Sequence, residues 1–256
     1  MPAPDHDGLQ HLLRLVQDGV VSRPQLRDLD FAPHDVERML RRRDLTVVHR
    51  GVFVTHTGEL TWEQRSWAAV LATDGALTRE SVMPRPPRRA AIQVAIDARR
   101  TVRRLDGVRV HRTAHLAERL HPLSAPPRVR IEHAVVDLAD DATDAGDALH
   151  LLADALHTRT TDVDALRSAV GARKRLGRRR LLLDLLDDLA TGATSALERA
   201  YLRDVERAHR LPEGARQARD VGRGHDRAAR RRLRTARPGG RARRQGLPRL
   251  LDRTRT

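Results

Sequence analysis

The stretch that decides the fold reads Ser22-Arg23-Pro24-Gln25-Leu26-Arg27-Asp28-Leu29, a break at Asp30-Phe31-Ala32, then Pro33-His34-Asp35-Val36-Glu37-Arg38-Met39-Leu40-Arg41-Arg42-Arg43-Asp44, and last Leu45-Thr46-Val47-Val48-His49-Arg50-Gly51-Val52-Phe53-Val54. Ser22, followed three residues later by Gln25, has the spacing of a capping box, and Leu26 and Leu29 are the buried positions of the short helix it opens. Pro33 suits the first turn of the next helix, where its missing N–H costs nothing. On that helix Val36, Met39 and Leu40 face inward, whereas His34, Glu37, Arg38, Arg41 and Arg42 face out. From Leu45 to Val54 the chain switches to β-branched residues around His49-Arg50-Gly51, which predicts a short hairpin. Upstream, Leu9, Leu12, Leu13, Leu15 and Val16 fall mostly on one face of a helix from Leu9 to Asp18 that Gly19 ends. Three helices and a hairpin in about 50 residues make a winged-helix plan, expected over residues 1–57.

In such a plan the third helix lies in the major groove of duplex DNA, its first turns over the base edges. His34, Arg38, Arg41 and Arg42, with Arg43 just beyond, are therefore the candidate contacts to bases and phosphates. His49 and Arg50 sit at the hairpin turn, where a wing touches the minor groove or the backbone, and Arg23, which opens the second helix, is a further candidate DNA contact. An isolated arginine run would be read as a solvated helix face. Its place immediately before a hairpin favours DNA.

The segments Gly19 to Leu26, His34-Asp35-Val36, Arg41 to Leu45 and Val48 to Phe53 resemble, in order and spacing, the N-terminal domain of AbiEi-type antitoxins. The resemblance continues through Thr61-Trp62-Glu63-Gln64-Arg65 and Ala76-Leu77-Thr78-Arg79-Glu80-Ser81, which are similar to the middle region of a large group of proteins from GC-rich bacteria. It implies a DNA-binding regulator from an abortive-infection type IV toxin–antitoxin system. Such a protein represses its own operon and counters a nucleotidyltransferase-type toxin, so the implied partners are double-stranded DNA and a cognate toxin. Members of that group typically end in a domain similar to very-short-patch-repair endonucleases. A degenerate enzyme of that fold, lacking its metal-binding strands, is the alternative reading, and an adaptor that binds proteins through its helical half is a third.

Composition bounds these readings. There is no cysteine, hence no disulfide framework and no thiolate metal site. Five aromatic residues leave the cores to Leu, Val, Ile and Ala, which favours helix-rich packing. No stretch approaches the roughly 20 apolar residues of a membrane span, so no membrane partner and a cytoplasmic location are expected. The net charge of +15 is uneven: Gly222 to Thr256 hold 13 Arg and 2 Asp, and Met1 to Val221 carry only +4. One lysine, Lys174, against 48 arginines marks a GC-rich genome more than a function.

The remainder reads as α+β, mostly α. Residues 58–140 form a mixed middle domain, with a helix from Trp62 to Ala72, strands at Ile92 to Ile96 and Val108 to His111, a helix from Arg130 to Leu138, and a loop at Met83 to Arg89 whose prolines forbid helix. Residues 141–221 form a helical region, with helices at Leu149 to Leu156, Val163 to Val170, Arg178 to Leu189 and Ser195 to His209. Trp62 and Trp67 diverge on their helix and are expected to anchor the winged helix to the middle domain. His111, His115, His121 and His133 lack the pairing with acids of a helix-borne zinc site and are expected to be scattered on the surface. Asp137, Asp140, Asp141, Asp144 and Asp147 fit a solvated helix end rather than a metal cage. Glu198 matches the first helix of the nuclease-like domain but has no carboxylate partners, so no catalytic residue, metal or cofactor is expected.

Residues 222–256 depart from the resemblance, which requires strands carrying a string close to G-L-V-V-E-L-D-G. The observed residues fix the first two bases of each codon. Read one base later from Leu233, those codons permit Y-G-R-H-G-L-V-V-E-L-D-G-(K/R)-A-F-H-D-S-S-T-A-R without a break. This implies a change of frame near Val221 to Ala229, so the Arg-rich tail is expected to be an out-of-frame translation, disordered outside short helical pieces. The competing view is a selected basic arm on phosphates.

Overall fold

The computed structural model describes residues 4–191. The helix expected at Ser195 to His209, Glu198 and the Arg-rich tail lie outside the described residues.

Residues 4–54 form a winged helix. Helix α1 (His6–His11) runs into a π-helical turn, Leu12–Val16, and is followed by β1 (Val20–Ser22), α2 (Arg23–Asp28), α3 (Pro33–Arg42), β2 (Thr46–His49) and β3 (Val52–Val54). The three strands make an antiparallel sheet in the order β1-β3-β2, with Val21 opposite Phe53 and Phe53 opposite Val47. Ser22 both ends β1 and caps α2, and the reciprocal bonds of its capping box with Gln25 are formed. Leu9, Leu13, Val21, Leu26, Phe31, Val36, Leu45 and Phe53 build one core between the three helices and the inner face of the sheet.

Two features depart from the sequence reading. The strand β1 went unrecognised, because three residues immediately before a capping box show no periodicity. In addition, Leu15 and Val16 do not join Leu9 and Leu13 in the core; Leu15 is 75 % exposed. The π turn is the reason. Gln17 N–H donates to the Leu12 carbonyl, an i to i+5 bond that inserts one residue into the helical phase. Gln17 is thereby buried and Leu15 points outward.

The outer face of the winged-helix sheet is covered by α4 (Trp62–Thr73). Trp67 and Ala68 pack on Val20, Val52 and Val54, while Ala69 and Val70 on the opposite face meet Leu77, Ile92, Val94 and Ile96 of a second sheet. A helix buried on two sides carries apolar residues all round. Polar ties reinforce the seam, since the Gln64 amide donates to the Asp18 carbonyl at 2.9 Å and the Thr61 hydroxyl to the Asp18 carboxylate at 3.2 Å. Trp67 thus anchors the winged helix, as the divergence of the two tryptophans implied, and Trp62 packs on the other side.

The second sheet has the order β4-β5-β6, from β4 (Ala76–Leu77), β5 (Ile92–Asp97) and β6 (Val108–Thr113). β4 is antiparallel to β5, and β5 is parallel to β6. A 3-10 turn, Arg79–Val82, immediately precedes the proline-rich loop that begins at Met83. The short α5 (Leu116–Arg119) leads to four helices, α6 (Ile131–Asp140), α7 (Ala145–His157), α8 (Val163–Gly171) and α9 (Arg179–Ala190), around a core of Val135, Val136, Leu152, Leu166, Val170, Leu182 and Leu186. The chain is α+β and mostly α. Among the described residues no helix is long and apolar enough to cross a membrane.

Gly75 joins α4 to β4 where a Cβ would stand 2.6 Å from the Ala95 carbonyl oxygen and 2.7 Å from Val94 Cγ1. Backbone cannot retreat cheaply, so Gly75→Ala is expected to destabilise by roughly 1–3 kcal/mol. Gly171→Ala, with nothing within 4 Å of its Cβ, is the control. Equal chemical denaturation midpoints for the two variants would refute the close-approach account.

Candidate nucleic-acid interface

The exposed face of α3 is a continuous arc of Glu37, Arg41, His34, Arg38 and Arg42, with buried Asp35 and Val36 turned away from it. Asp35 explains how the helix starts without a polar cap residue. Its Oδ2 accepts from the Ala32 N–H at 3.1 Å, and its Oδ1 accepts from Arg38 Nη2 at 2.7 Å. His34 Nε2 lies 3.5 Å from the same Oδ1. Arg38 and His34 are therefore drawn toward the first turn of their own helix, and Arg38 is partly neutralised there.

Arg41, Arg42 and Arg43 are different. All three are exposed, and among the described residues none has a carboxylate within ion-pair distance. Arg43 closes α3 in the left-handed conformation, φ +63°, its N–H bonded to the Leu40 carbonyl at 3.2 Å. Three unpaired guanidiniums at a helix end are solvated charge that a polyanion can neutralise at low desolvation cost.

The hairpin turn lies beside the start of α2. The Arg23 N–H donates to the Gly51 carbonyl at 2.7 Å, and the Arg23 guanidinium stands 5.5 Å from the Phe53 ring centroid. Gly51, at φ +79°, permits the two-residue turn Arg50-Gly51. Arg23 and Arg50, both exposed, thus meet at the tip, although they are 27 residues apart in sequence. His49 does not share that exposure. It is the last residue of β2, half-buried, and burial lowers its pKa, opposed by the Asp106 carboxylate. Near neutral pH the lowered pKa favours the uncharged ring, which is set back from the exposed tip.

A groove of about 850 Å³ runs between α1 and α3, lined by Arg14, Arg38, Arg42 and Arg43 with Asp18 and Asp44. Arg14 lies in the π-helical turn, outside the recognition segment, so nothing local in the sequence marks it. The groove carries the basic face of α3 around to α1.

The other candidate groups are dispersed. His111 Nε2 is 2.7 Å from Gln93 Oε1, His115 Nδ1 is 3.1 Å from Glu118 Oε1, and His121 Nδ1 accepts from the Leu123 N–H at 3.2 Å. His133 contradicts the expectation of a surface histidine: it is buried on α6. The acidic run is not merely solvated either. Asp137 pairs with Arg173 at 2.6 Å, Asp141 with Arg79 at 2.5 Å, Asp140 accepts from the Arg178 N–H at 2.7 Å, and Asp144 caps α7. These carboxylates fasten the helices together. Among the described residues no group of three or more His, Asp or Glu is arranged to hold a metal ion.

Burial pushes the His133 pKa down to about 4, and the Arg173, Arg130 and Arg119 guanidiniums add to the effect. Relative to an unfolded value near 6.5, the folded state binds fewer protons between these limits. Stability is accordingly whole above about pH 6.5 and falls as pH drops toward 4, by up to about 3 kcal/mol from this residue. His133→Gln should flatten that part of the profile. Denaturation midpoints measured from pH 7.5 to 4.5 that decline equally in both proteins would assign the acid sensitivity elsewhere.

No family model matches the chain, and no curated protein matches it. Among solved structures the chain is similar to the RV2827C protein from Mycobacterium tuberculosis, at 20% identity and a TM-score of 0.42, over 70% of this chain and 75% of that one.

Proposed function

We propose that this protein is a cytoplasmic DNA-binding regulator whose winged helix inserts α3 into the major groove of double-stranded DNA. The observation that carries the reading is two sets of exposed arginines that, among the described residues, have no carboxylate within ion-pair distance: Arg41, Arg42 and Arg43 at the end of α3, and Arg23 with Arg50 at the hairpin tip. The first set is suited to base edges and flanking phosphates, and the second to the backbone beside the groove. Arg38 and His34 are secondary contacts, because Asp35 competes for them. The antitoxin resemblance supplies a biological setting, in which the protein represses its own operon and counters a nucleotidyltransferase-type toxin as a binding partner rather than as an enzyme.

The test is fluorescence anisotropy of the full chain on duplex fragments from its own promoter region and on scrambled duplexes. Log affinity should fall linearly with log salt, and promoter duplex should bind more tightly than scrambled duplex at physiological salt. Equal affinity for the two at every salt concentration would reduce the protein to a nonspecific polyanion binder and defeat the regulator reading. Co-expression that fails to relieve the toxicity of a neighbouring nucleotidyltransferase would remove the antitoxin assignment and leave DNA binding standing.

A further inference from the structure

A second basic centre lies away from the winged helix, between α5, α6 and α8, around a cavity of about 370 Å³. Arg119, at the end of α5, is 9 % exposed and lines it. Among the described residues Arg119 has no carboxylate within ion-pair distance, and its side chain donates to the Thr113 hydroxyl as its hydrogen-bond partner. A guanidinium carries five N–H donors, so a buried one with a single neutral acceptor is an uncompensated charge.

The neighbouring carboxylates reach Arg119 only at longer range: Asp137 and Glu118 favour its charged form, but neither stands within ion-pair distance of it, and Glu132 on the cavity wall is set against Arg130. Arg173, behind Arg119, is matched by Asp137 at 2.6 Å and donates to the His133 carbonyl at 3.0 Å. Arg130 is matched by Glu132, with its Nε 3.5 Å from Glu132 Oε1, and donates from Nη2 to the Glu118 carbonyl at 2.8 Å. The Glu118 carboxylate is exposed at the rim and turned to His115. Buried nitrogens without a hydrogen-bond partner remain around it: His133 Nδ1 and Arg130 Nε on its wall, the latter only within ion-pair reach of Glu132, and Arg173 Nε behind them. With His133 Nε2 set against Arg130 Nη2 at 3.4 Å, a neutral ring carries its proton on Nδ1, which makes each of these orphans a donor. The opposite wall is Ala165, Ser168, Ala169 and Ala172, side chains small enough to leave the cavity open, with one hydroxyl among them.

We propose that this cavity is a binding site for the phosphate group of a small phosphorylated molecule, with Arg119 as its anchor, Arg130 and His133 beside it and Ser168 facing them. A tetrahedral oxyanion accepts from several directions at once, which suits donors converging from α5, α6 and α8 better than one planar carboxylate does. The concave shape suits a single phosphate group rather than the extended backbone of a duplex.

The experiment is thermal unfolding and isothermal calorimetry of the full chain with inorganic phosphate, a nucleoside monophosphate, a short single-stranded oligonucleotide and acetate, each at matched ionic strength against chloride. Millimolar phosphate or monophosphate is expected to raise Tm by several degrees, because a ligand bound only by the folded state stabilises it. Acetate should do little. Stronger stabilisation by the monophosphate assigns the site to a small molecule, whereas preference for the oligonucleotide assigns the phosphate to nucleic acid and overturns the small-molecule reading. Arg119→Met should abolish the phosphate-dependent rise while leaving Tm in chloride unchanged or higher, since it removes an unpaired buried charge. Ser168→Leu, which fills the cavity from the other wall, should weaken phosphate by about tenfold or more and serves where the arginine variant is poorly folded. Duplex affinity should be unaffected by either variant, which separates this site from the α3 surface. A wild-type Tm that phosphate moves no more than chloride or acetate overturns the proposal, as does an undiminished response in Arg119→Met.

Discussion

Replacing Arg41 and Arg42 together by alanine is expected to cost duplex affinity most, while leaving the melting temperature of the protein unchanged. Both side chains are exposed and, among the described residues, make no ion pair that folding depends on. Each arginine that meets a base edge contributes about 1–3 kcal/mol, or roughly 5- to 150-fold in affinity. Where a contact is to phosphate instead, its loss reduces the slope of log affinity against log salt by about 0.9. The double variant should therefore bind at least tenfold more weakly at physiological salt, and the change in slope reports how many of the two contacts were phosphates. Arg38→Ala should cost less, because Asp35 already holds that guanidinium at 2.7 Å. Its effect should fall partly on stability, by leaving a buried carboxylate with one partner fewer. An anisotropy titration in which Arg41→Ala/Arg42→Ala binds as the parent does would remove α3 as the reading helix. A larger loss from Arg38→Ala than from the double variant would relocate the contact to the first turn.

The second large effect is on folding, and it falls outside the DNA-binding surface. Trp67→Ala should destabilise the protein by about 3–5 kcal/mol, the range for deleting a large aromatic side chain from a core. Trp67 is 7 % exposed and closes the outer face of the winged-helix sheet over Val20, Val52 and Val54, which are 0, 1 and 2 % exposed. The consequence reaches further than one residue. A fragment ending at residue 57 omits α4, uncovers those three valines and loses the Gln64 and Thr61 bonds to Asp18. Sequence reading places the winged-helix boundary at that residue, but the segment it defines lacks half of its own packing. Such a fragment should show no cooperative thermal transition. A sharp transition in the fragment, or a loss below about 1 kcal/mol for Trp67→Ala in guanidinium titrations, would show that the sheet does not depend on α4.

Residues 4–54 were legible wherever the signal is local. The capping box at Ser22 and Gln25, the proline at the head of α3, the alternation around Gly51 and the split of α3 into an apolar and a basic side all express contacts within a few residues. Each appears where expected, and together they were enough for the three helices and the hairpin. The helices of the second half were legible for the same reason, with α7 longer than read because Asp144 caps it ahead of the first apolar residue.

Sequence by itself determined the period, the caps, the basic arc of α3 and the α+β class, because these follow from backbone geometry and from residues three or four apart. Tertiary structure alone decided which of the charged groups are available. It drew Arg38 onto Asp35, half-buried His49 within the electrostatic reach of Asp106, and committed Asp137, Asp140 and Asp141 to Arg173, the Arg178 N–H and Arg79. It also turned Leu15 outward through one π turn and left Arg119 inside with, among the described residues, no carboxylate within ion-pair distance. The physical reason is common to all of these. Burial and charge pairing are set by neighbours that arrive from distant parts of the chain, and the free energy of a titratable side chain depends on those neighbours far more than on its own place in the sequence.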